Sequence, residues 1–326
     1  MSTTEKTKNS ISARISSWMI VIILAVILAF FGLTQRSYLT INSLQAICYN
    51  ASIDAIACIG FTFLLIMGEL DMSIGAMACM GGALMSTLVL GTGIPLFWIL
   101  LIVGLVGCLL GWLQGMLITK FRLNSMMVTI GAMMALKAIG LYFVNLYNGK
   151  QLPPYAKSFA KIKLFSGGFR IYLIIVIIIA LALIFDFLLK KSKIFRQMYY
   201  IGSNFDTCTL YGINANRVKQ CAFAFSGFMS ALCGAFKTAR FAHAAPDTGS
   251  NLEILVITAA VLGGASIYGG KGSVGRTFLG LIFIYALQTG LTAYGVDSYT
   301  QQVIIGAILI LAIGLDILMN RKTRKV

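Results

Sequence analysis

Residues 94–118 read IPLFWILLIVGLVGCLLGWLQGMLI, 25 residues without one charged side chain. As a helix this stretch would rise roughly 37 Å at about 1.5 Å per residue, and a hydrocarbon core of about 30 Å needs about 20 apolar residues. It therefore reads as a membrane span. The rest of the chain agrees. Of 326 residues, 59% are apolar and 11% charged, against roughly 25% charged in an ordinary soluble domain; mean hydropathy is +0.89. A compact soluble fold could not cover so much apolar surface. A soluble enzyme, a disordered chain and a nucleic-acid binder are thereby excluded. At roughly 30 residues per span and loop, the chain holds about ten spans and no large soluble domain.

Apolar runs place these spans at about 18–33, 43–66, 70–90, 94–118, 126–147, 171–189, 219–238, 252–268, 274–294 and 299–319. The predicted fold is all-α: a polytopic integral membrane protein with about ten transmembrane helices. Broken or re-entrant segments are expected where Gly and polar residues interrupt the runs, mainly around 60–95. Residues 1–17 read as a cytoplasmic tail, 18–319 as the transmembrane domain and 320–326 as a basic cytoplasmic tail. The first run resembles a secretory signal, but Thr34-Gln35-Arg36-Ser37-Tyr38 offers no small-residue cleavage site, so it reads as an uncleaved span. Net charge is 26 − 10 = +16. With the N-terminus inside, Lys120 to Arg122, 190–219, 271–276 and the tail 321–325 are all inner and all basic, as orientation by positive charge requires. Residues 149–170 disobey: Lys150, Lys157, Lys161, Lys163 and Arg170 fall outside. They are loop scatter or a docking surface for an acidic extracytoplasmic partner. The seven Cys include no C-x-x-C pair and read as small buried hydrophobes, with no disulfide framework and no metal site.

Charge inside a membrane is costly, about 2.5 kcal/mol or more per group, so the embedded acids are informative. Glu69, Asp71 and Ser73 lie in Gly68-Glu69-Leu70-Asp71-Met72-Ser73-Ile74-Gly75. Two acids, a Ser and flanking Gly suggest a broken helix or tight turn, with Asp71 or Ser73 capping the helix that follows. Such backbone at depth lines a path or is buried in protein; a plain inner turn is the alternative. Lys137 lies about eleven residues into its span and is expected to pair with an acid, Asp54 or Asp71, structurally or as part of transport. The only His, His243, reads as a loop residue. Gly107, Gly111 and Gly115 share a helical face and allow close approach, within the chain or at a dimer seam. The nearest approach to a phosphate-binding loop, Ala265 to Gly272, lacks the first Gly and the final Ser/Thr. The chain has no visible means of hydrolysing ATP and is not expected to be an enzyme.

A set of separated motifs follows in the second half: Gly202-Ser203-Asn204, Gly212-Ile213-Asn214, Ala239-Arg240, Pro246, Thr248-Gly249-Ser250, Ala259 to Ser266, Gly269 to Gly275, Gly290-Leu291, Gly295 to Tyr299 and Gln301-Gln302. The first half adds Thr40-Ile41-Asn42, Gly60-Phe61-Thr62 and Gly68 to Gly75. In order and spacing, over about 38–318, this resembles the permease subunits of bacterial ribose-type ABC sugar importers, of the branched-chain/sugar permease family. The resemblance implies an importer of a monosaccharide or related small polar solute in the bacterial inner membrane, with both termini cytoplasmic. It implies partners: a second permease chain (identical or similar), a cytoplasmic ABC ATPase carrying ATP and Mg²⁺, and a periplasmic or lipid-anchored binding protein. It implies no cofactor on this chain and no nucleic acid. It assigns the ATPase-coupling loop to 199–214, with Gly202, Asn204, Gly212, Ile213 and Asn214, and suggests that its Gly and Asn set turns. Pathway residues would be Glu69, Asp71, Ser73 and Arg240. Ser203, Phe205, Asp206, Thr207, Cys208, Leu255 and Glu69 depart from the usual pattern, which suggests a dedicated ATPase and leaves the sugar open. The rival reading is an ion- or proton-coupled secondary transporter using Asp54 and Lys137 as a relay.

Overall fold

The computed structural model describes residues 20–147, 149–164, 171–204, 208 and 212–323; Phe205, Asp206, Thr207, Arg170, the whole N-terminal tail and the last three residues lie outside it. The described chain is helical: α1 Ile20–Thr34, α2 Ile41–Ile66, α3 Ile74–Gly91, α4 Leu96–Phe121, α5 Ser125–Leu146, α6 Pro154–Ser158, a 3-10 turn Phe159–Lys161, α7 Leu173–Lys191, α8 Lys193–Ser203, α9 Ala215–Phe241, α10 Leu252–Leu262, α11 Val274–Ala293 and α12 Ser298–Thr323. Seven of these (α2, α3, α4, α5, α7, α9 and α11) are long and apolar enough to cross a membrane; α1, α10 and the first part of α12 are shorter apolar helices. The protein is an all-α, multi-pass membrane protein.

Two boundaries depart from the sequence reading. The run at 252–268 is helical only over Leu252–Leu262, roughly 16 Å at about 1.5 Å per residue, too short to span. Gly264, at φ +83°, ends it in the left-handed region that glycine enters without strain. The α9 helix begins earlier than expected, at Ala215, because the Asn214 side chain accepts the Arg217 N–H at 3.1 Å and caps it.

The loops gather at two faces. Residues 67–73, 122–124, 192–204 and 263–273 meet at the first; Gly270 N–H donates to Ile66 O at 2.8 Å and Leu70 N–H approaches Ser125 Oγ at 3.4 Å. The segments at 35–40, 147–164 and 294–297 gather at the second, where Tyr38 donates to Ala286 O and Tyr49 to Ala160 O, both at 2.9 Å. There Asp297 opens α12, and hydrogen bonds from the Thr300 hydroxyl and backbone hold its carboxyl below the usual carboxylate range.

Helix α2 is buried along almost its whole length, while α4, α5 and α7 turn Leu105, Leu109, Met134, Leu183 and Phe187 outward. Exposed apolar helices around a buried one are what lipid as solvent permits. Between α2, α3 and α4 runs α9. A Cβ at Gly107 or Gly111 would strike the backbone of Gly227 or Phe223, and one at Gly234 that of Ala78. The glycine stripe on α4 therefore closes a seam inside the chain. Phe63 stacks on Phe225 and meets Phe185 and Phe195, joining α2, α9, α7 and α8.

Candidate transport pathway

Helix α9 carries polar side chains at 219, 226, 233, 237 and 240. These spacings of seven, seven, four and three put them on one helical face, opposite the face that receives α4. Each finds a partner on α2 or the segment after it. Lys219 pairs with Glu69. Ser226 Oγ donates to Asp71 Oδ2 at 3.3 Å. Cys233 Sγ lies 3.7 Å from Asp54 Oδ1, and Lys237 Nζ lies 2.7 Å from the same oxygen. The Arg240 guanidinium sits over the Tyr49 ring at 5.1 Å. The stripe runs through the protein from the first face to the second.

Asp54 is only 1% exposed. An ionised carboxylate there must have its charge and lone pairs answered. Lys237 answers one oxygen and the Tyr285 hydroxyl, from α11, donates to the other. Lys137, expected to pair with Asp54 or Asp71, does neither. Its ammonium donates to the Pro246 carbonyl at 2.5 Å, in the irregular stretch between α9 and α10. A carbonyl outside any helix is free to accept from side chains; this one also takes Cys79 Sγ at 3.7 Å, and it serves Lys137 in place of an acid.

The broken segment expected around 68–75 is present. Gly68 turns the chain at φ +76°, and α3 begins only at Ile74. Asp71 Oδ1 accepts the Ser73 N–H at 2.8 Å and its hydroxyl at 2.6 Å, and Ser73 Oγ lies 3.1 Å from Gln114 Oε1 on α4. The freed N–H of Met72 donates to Thr129 Oγ1 on α5 at 3.1 Å. Glu69, Asp71 and Ser73 are all buried. A second broken stretch, 242–251, leads into α10, and Gly249 (φ +78°) lies against the backbone of Gly75. His243 is exposed, and its Nδ1 lies 2.9 Å from the Phe241 carbonyl oxygen.

Two cavities flank the stripe. The first, about 830 Å³, opens at the first face and is lined by Glu69, Lys219, Thr119, Arg122 and 212–216. The second, about 520 Å³, opens at the second face between α2, α11 and α12. Its lining is hydroxyl and amide: Ser37, Ser43, Asn50, Gln288, Thr289, Thr292, Gln301 and Gln302, with Tyr38 and Tyr285. Through Tyr285 it touches the Asp54–Lys237 pair. Asn50 Oδ1 is buried with no hydrogen-bond partner among the described residues.

Of the expected pathway residues, the structure brings Glu69, Asp71 and Ser73 together and sets Arg240 apart, toward the second face. Lys219, Ser226, Lys237, Gln114 and Tyr285 escaped the sequence reading. The signal was the polar repeat along 219–240, hidden because it sat in a run scored only for apolar content.

The coupling positions separate as well. Asn204 closes α8, its N–H bonded to Tyr200 O at 3.0 Å. Gly212 turns at φ +74°, with nothing within 4 Å of a Cβ there among the described residues. Ile213 N–H donates to Cys208 O at 3.1 Å, and Asn214 caps α9. Gly202 sets no turn, contrary to expectation. It lies in the last turn of α8, and a Cβ there would strike Ile66 O and Gly270 N. It is glycine for close approach. No group of three His, Cys, Asp or Glu able to hold a metal occurs among the described residues.

A family model described as branched-chain amino acid transport system / permease component matches residues 43–313. The chain is 29% identical to the ribose import permease protein of Haemophilus influenzae, covering 92% of this chain and 93% of the relative. It is 30% identical to the D-allose transport system permease protein of Escherichia coli, covering 92% and 91%. It is also 30% identical to a probable ABC transporter permease protein, YphD, of Escherichia coli, covering 98% and 94%. No solved structure matches the chain.

Proposed function

This chain belongs to the family of branched-chain amino acid transport system permease components, and from that premise we propose that it is the membrane subunit of an ABC importer for a monosaccharide or related small polar solute. The observation that carries the reading is the near end-to-end similarity to import permeases for ribose and allose. The second-face cavity supports it: a hydroxyl- and amide-lined space with no charged side chain suits a neutral polyhydroxylated solute.

On this reading the transmembrane domain is 18–319 and the tails are cytoplasmic. The first face is the inner one, where Lys120, Arg122, Lys190, Lys191 and Lys193 gather. A separate ATPase, with its own ATP and Mg²⁺, docks on 199–214. A binding protein delivers solute to the second face near the Lys-rich 149–164 segment, and a second permease chain completes the pathway.

The contacts indicate how a push at the coupling segment reaches the pathway. Gly202 rests on the Ile66 carbonyl, the same oxygen that accepts the Gly270 N–H. Tyr199 on α8 donates to Gly272 O at 2.8 Å. Movement of α8 therefore drags the end of α2, and with it Gly68, Glu69 and Asp71. Those two acids are bound to Lys219 and Ser226 of α9, so the stripe shifts at its inner end first. Alternating access follows when the first-face and second-face cavities open in turn on either side of the stripe.

The test is a pull-down of tagged protein from its native membrane, followed by ATP-dependent uptake in proteoliposomes of the recovered complex. Recovery of an ABC ATPase is expected. Asn204→Trp or Gly212→Trp should abolish uptake while complex and membrane insertion persist. Uptake that survives ATP depletion but collapses with an uncoupler would replace this reading with the ion-coupled one.

A further inference from the structure

We propose that the junction of α7 and α8 is a binding site for the phosphate of an anionic phospholipid. A recess of about 450 Å³ lies there, lined by Leu189, Lys190, Arg196, Tyr199, Tyr200 and Gly270. Its two cations are exposed, and no acid lines it. Asp186, one turn back on α7, is committed elsewhere. It accepts from Val274 N–H at 2.8 Å, Gly275 N–H at 3.1 Å and the Ser273 hydroxyl at about 3.0 Å, and so caps α11. Among the described residues, neither recess cation is in an ion pair with an acid.

The site is organised. The Arg196 guanidinium donates to the Tyr200 hydroxyl at 2.9 Å and lies 5.9 Å from that ring, which presets its fork for a phosphate. The Tyr199 hydroxyl is tied to Gly272 O, fixing one wall. Helix α8 buries Met198 and Ile201, half-buries Phe195 and exposes Ile194 and Tyr200. It is an amphipathic helix moored by Phe195 against Phe63 and Phe185, in the manner of one lying in the interface plane.

Two macromolecular occupants suit a basic recess, a lipid and an acidic protein surface. The apolar surroundings favour the lipid. On α7, Leu183, Ile184 and Phe187 are 66%, 51% and 62% exposed, and at spacings of three, four and seven they share a face with Lys190 and Lys191. That face is a bare hydrocarbon track ending in cations, with Ile194 (69% exposed) beyond. Acyl chains fit the track and the headgroup phosphate fits the recess. Basic pockets at this membrane level bind anionic headgroups.

The experiment is native mass spectrometry of the full chain, delipidated in neutral detergent and titrated with dioleoyl phosphatidylglycerol, dioleoyl phosphatidylcholine or inorganic phosphate. Phosphatidylglycerol should saturate at one tight site that phosphatidylcholine does not fill. Lys190→Gln/Arg196→Gln should weaken it on the order of thirtyfold, from the loss of two interfacial cations. Lys120→Gln/Arg217→Gln removes equal charge from the same face and should leave it intact; Arg196→Lys should keep most of it. Equal binding of both lipids, or equal loss in both double variants, overturns the proposal. So does millimolar phosphate displacing the lipid, which would make this a free-anion site. Retained lipid binding with loss of the ATPase from the pull-down would give the recess to that partner instead. Each variant's melting temperature is measured alongside, and a folded Arg196→Gln single variant with wild-type lipid affinity also refutes the assignment.

Discussion

The buried pair between Asp54 and Lys237 makes a quantitative claim about why the bundle holds together. Replacing Lys237 with Met leaves the Asp54 carboxylate, 1% exposed, with only Tyr285 and Cys233 as partners. Stranding one member of a buried pair costs about 3–5 kcal/mol. Asp54→Leu should cost less, about 1.5–3 kcal/mol, because the Lys237 side chain is 19% exposed and its stem can carry the ammonium toward the second face. The double replacement Asp54→Leu/Lys237→Met removes both charges and fills similar volume. It should unfold within about 1–2 kcal/mol of wild type. The cycle then gives a coupling energy of roughly 5 kcal/mol, well above the ~0–1 kcal/mol of an exposed pair. At about 2 °C per kcal/mol for a chain of this size, Lys237→Met melts roughly 6–10 °C lower. Thermal unfolding of the purified protein in one neutral detergent measures all four corners. A Lys237→Met variant melting with wild type, or a double variant as unstable as the two singles summed, would refute the pair's structural role.

Three further outcomes follow from named contacts. Lys137→Met loses its bond to the Pro246 carbonyl and should cost about 1–2 kcal/mol; exchanging charges between Lys137 and Asp54 should rescue nothing, and recovery to wild-type melting would restore the paired reading. Gly234→Leu forces a side chain into the Ala78 backbone and should prevent recovery of monodisperse protein, whereas Gly131→Ala, with open space at its Cβ in mid-helix, should stabilise by about 0.5–1 kcal/mol in the same melting assay. Glu69→Gln breaks the link to Lys219 at the first-face cavity, and on the proposed importer reading ATP-dependent uptake should fall at least tenfold, by the order of one lost charged contact, with the complex still assembled; normal uptake would remove Glu69 from the pathway.

The spans were legible because a charge-free run such as 94–118 has one physical outcome, and the break at Gly68 was legible because acids, Ser and Gly at depth resist a continuous helix. The run at 252–268 misled because hydropathy counts apolar residues whether or not they are helical; Gly263 and Gly264 stop the helix without lowering that count much. Lys137 misled for a different reason. Its partner is a backbone carbonyl in a loop that folds into the bundle, and main-chain partners have no signature in side-chain type. Lys219, Ser226 and Lys237 were visible as a helical polar repeat, but only pairing with Glu69, Asp71 and Asp54, 150 residues or more earlier, gives that repeat a meaning. Gly202 looked like a turn residue because glycine's two uses, conformation and thinness, are written with the same letter.

The polar stripe on α9 also bears on how the chain enters the membrane. This helix is the least apolar of the seven long ones, and it takes Lys219, Lys237 and Arg240 with it. Lys219 lies in the second turn of α9 and Lys237 and Arg240 in its last two, so each costs less than the about 2.5–3.5 kcal/mol of a cation at a helix centre, but a span this weakly apolar has little to set against them. The segment that answers one of those charges, Asp54 on α2, leaves the ribosome some 180 residues earlier. During synthesis Asp54 of α2 therefore emerges long before Lys237, and the pair can close only once α9 reaches α2. The order of emergence becomes a chaperone in itself: neither helix is a good lodger in lipid until the other has arrived.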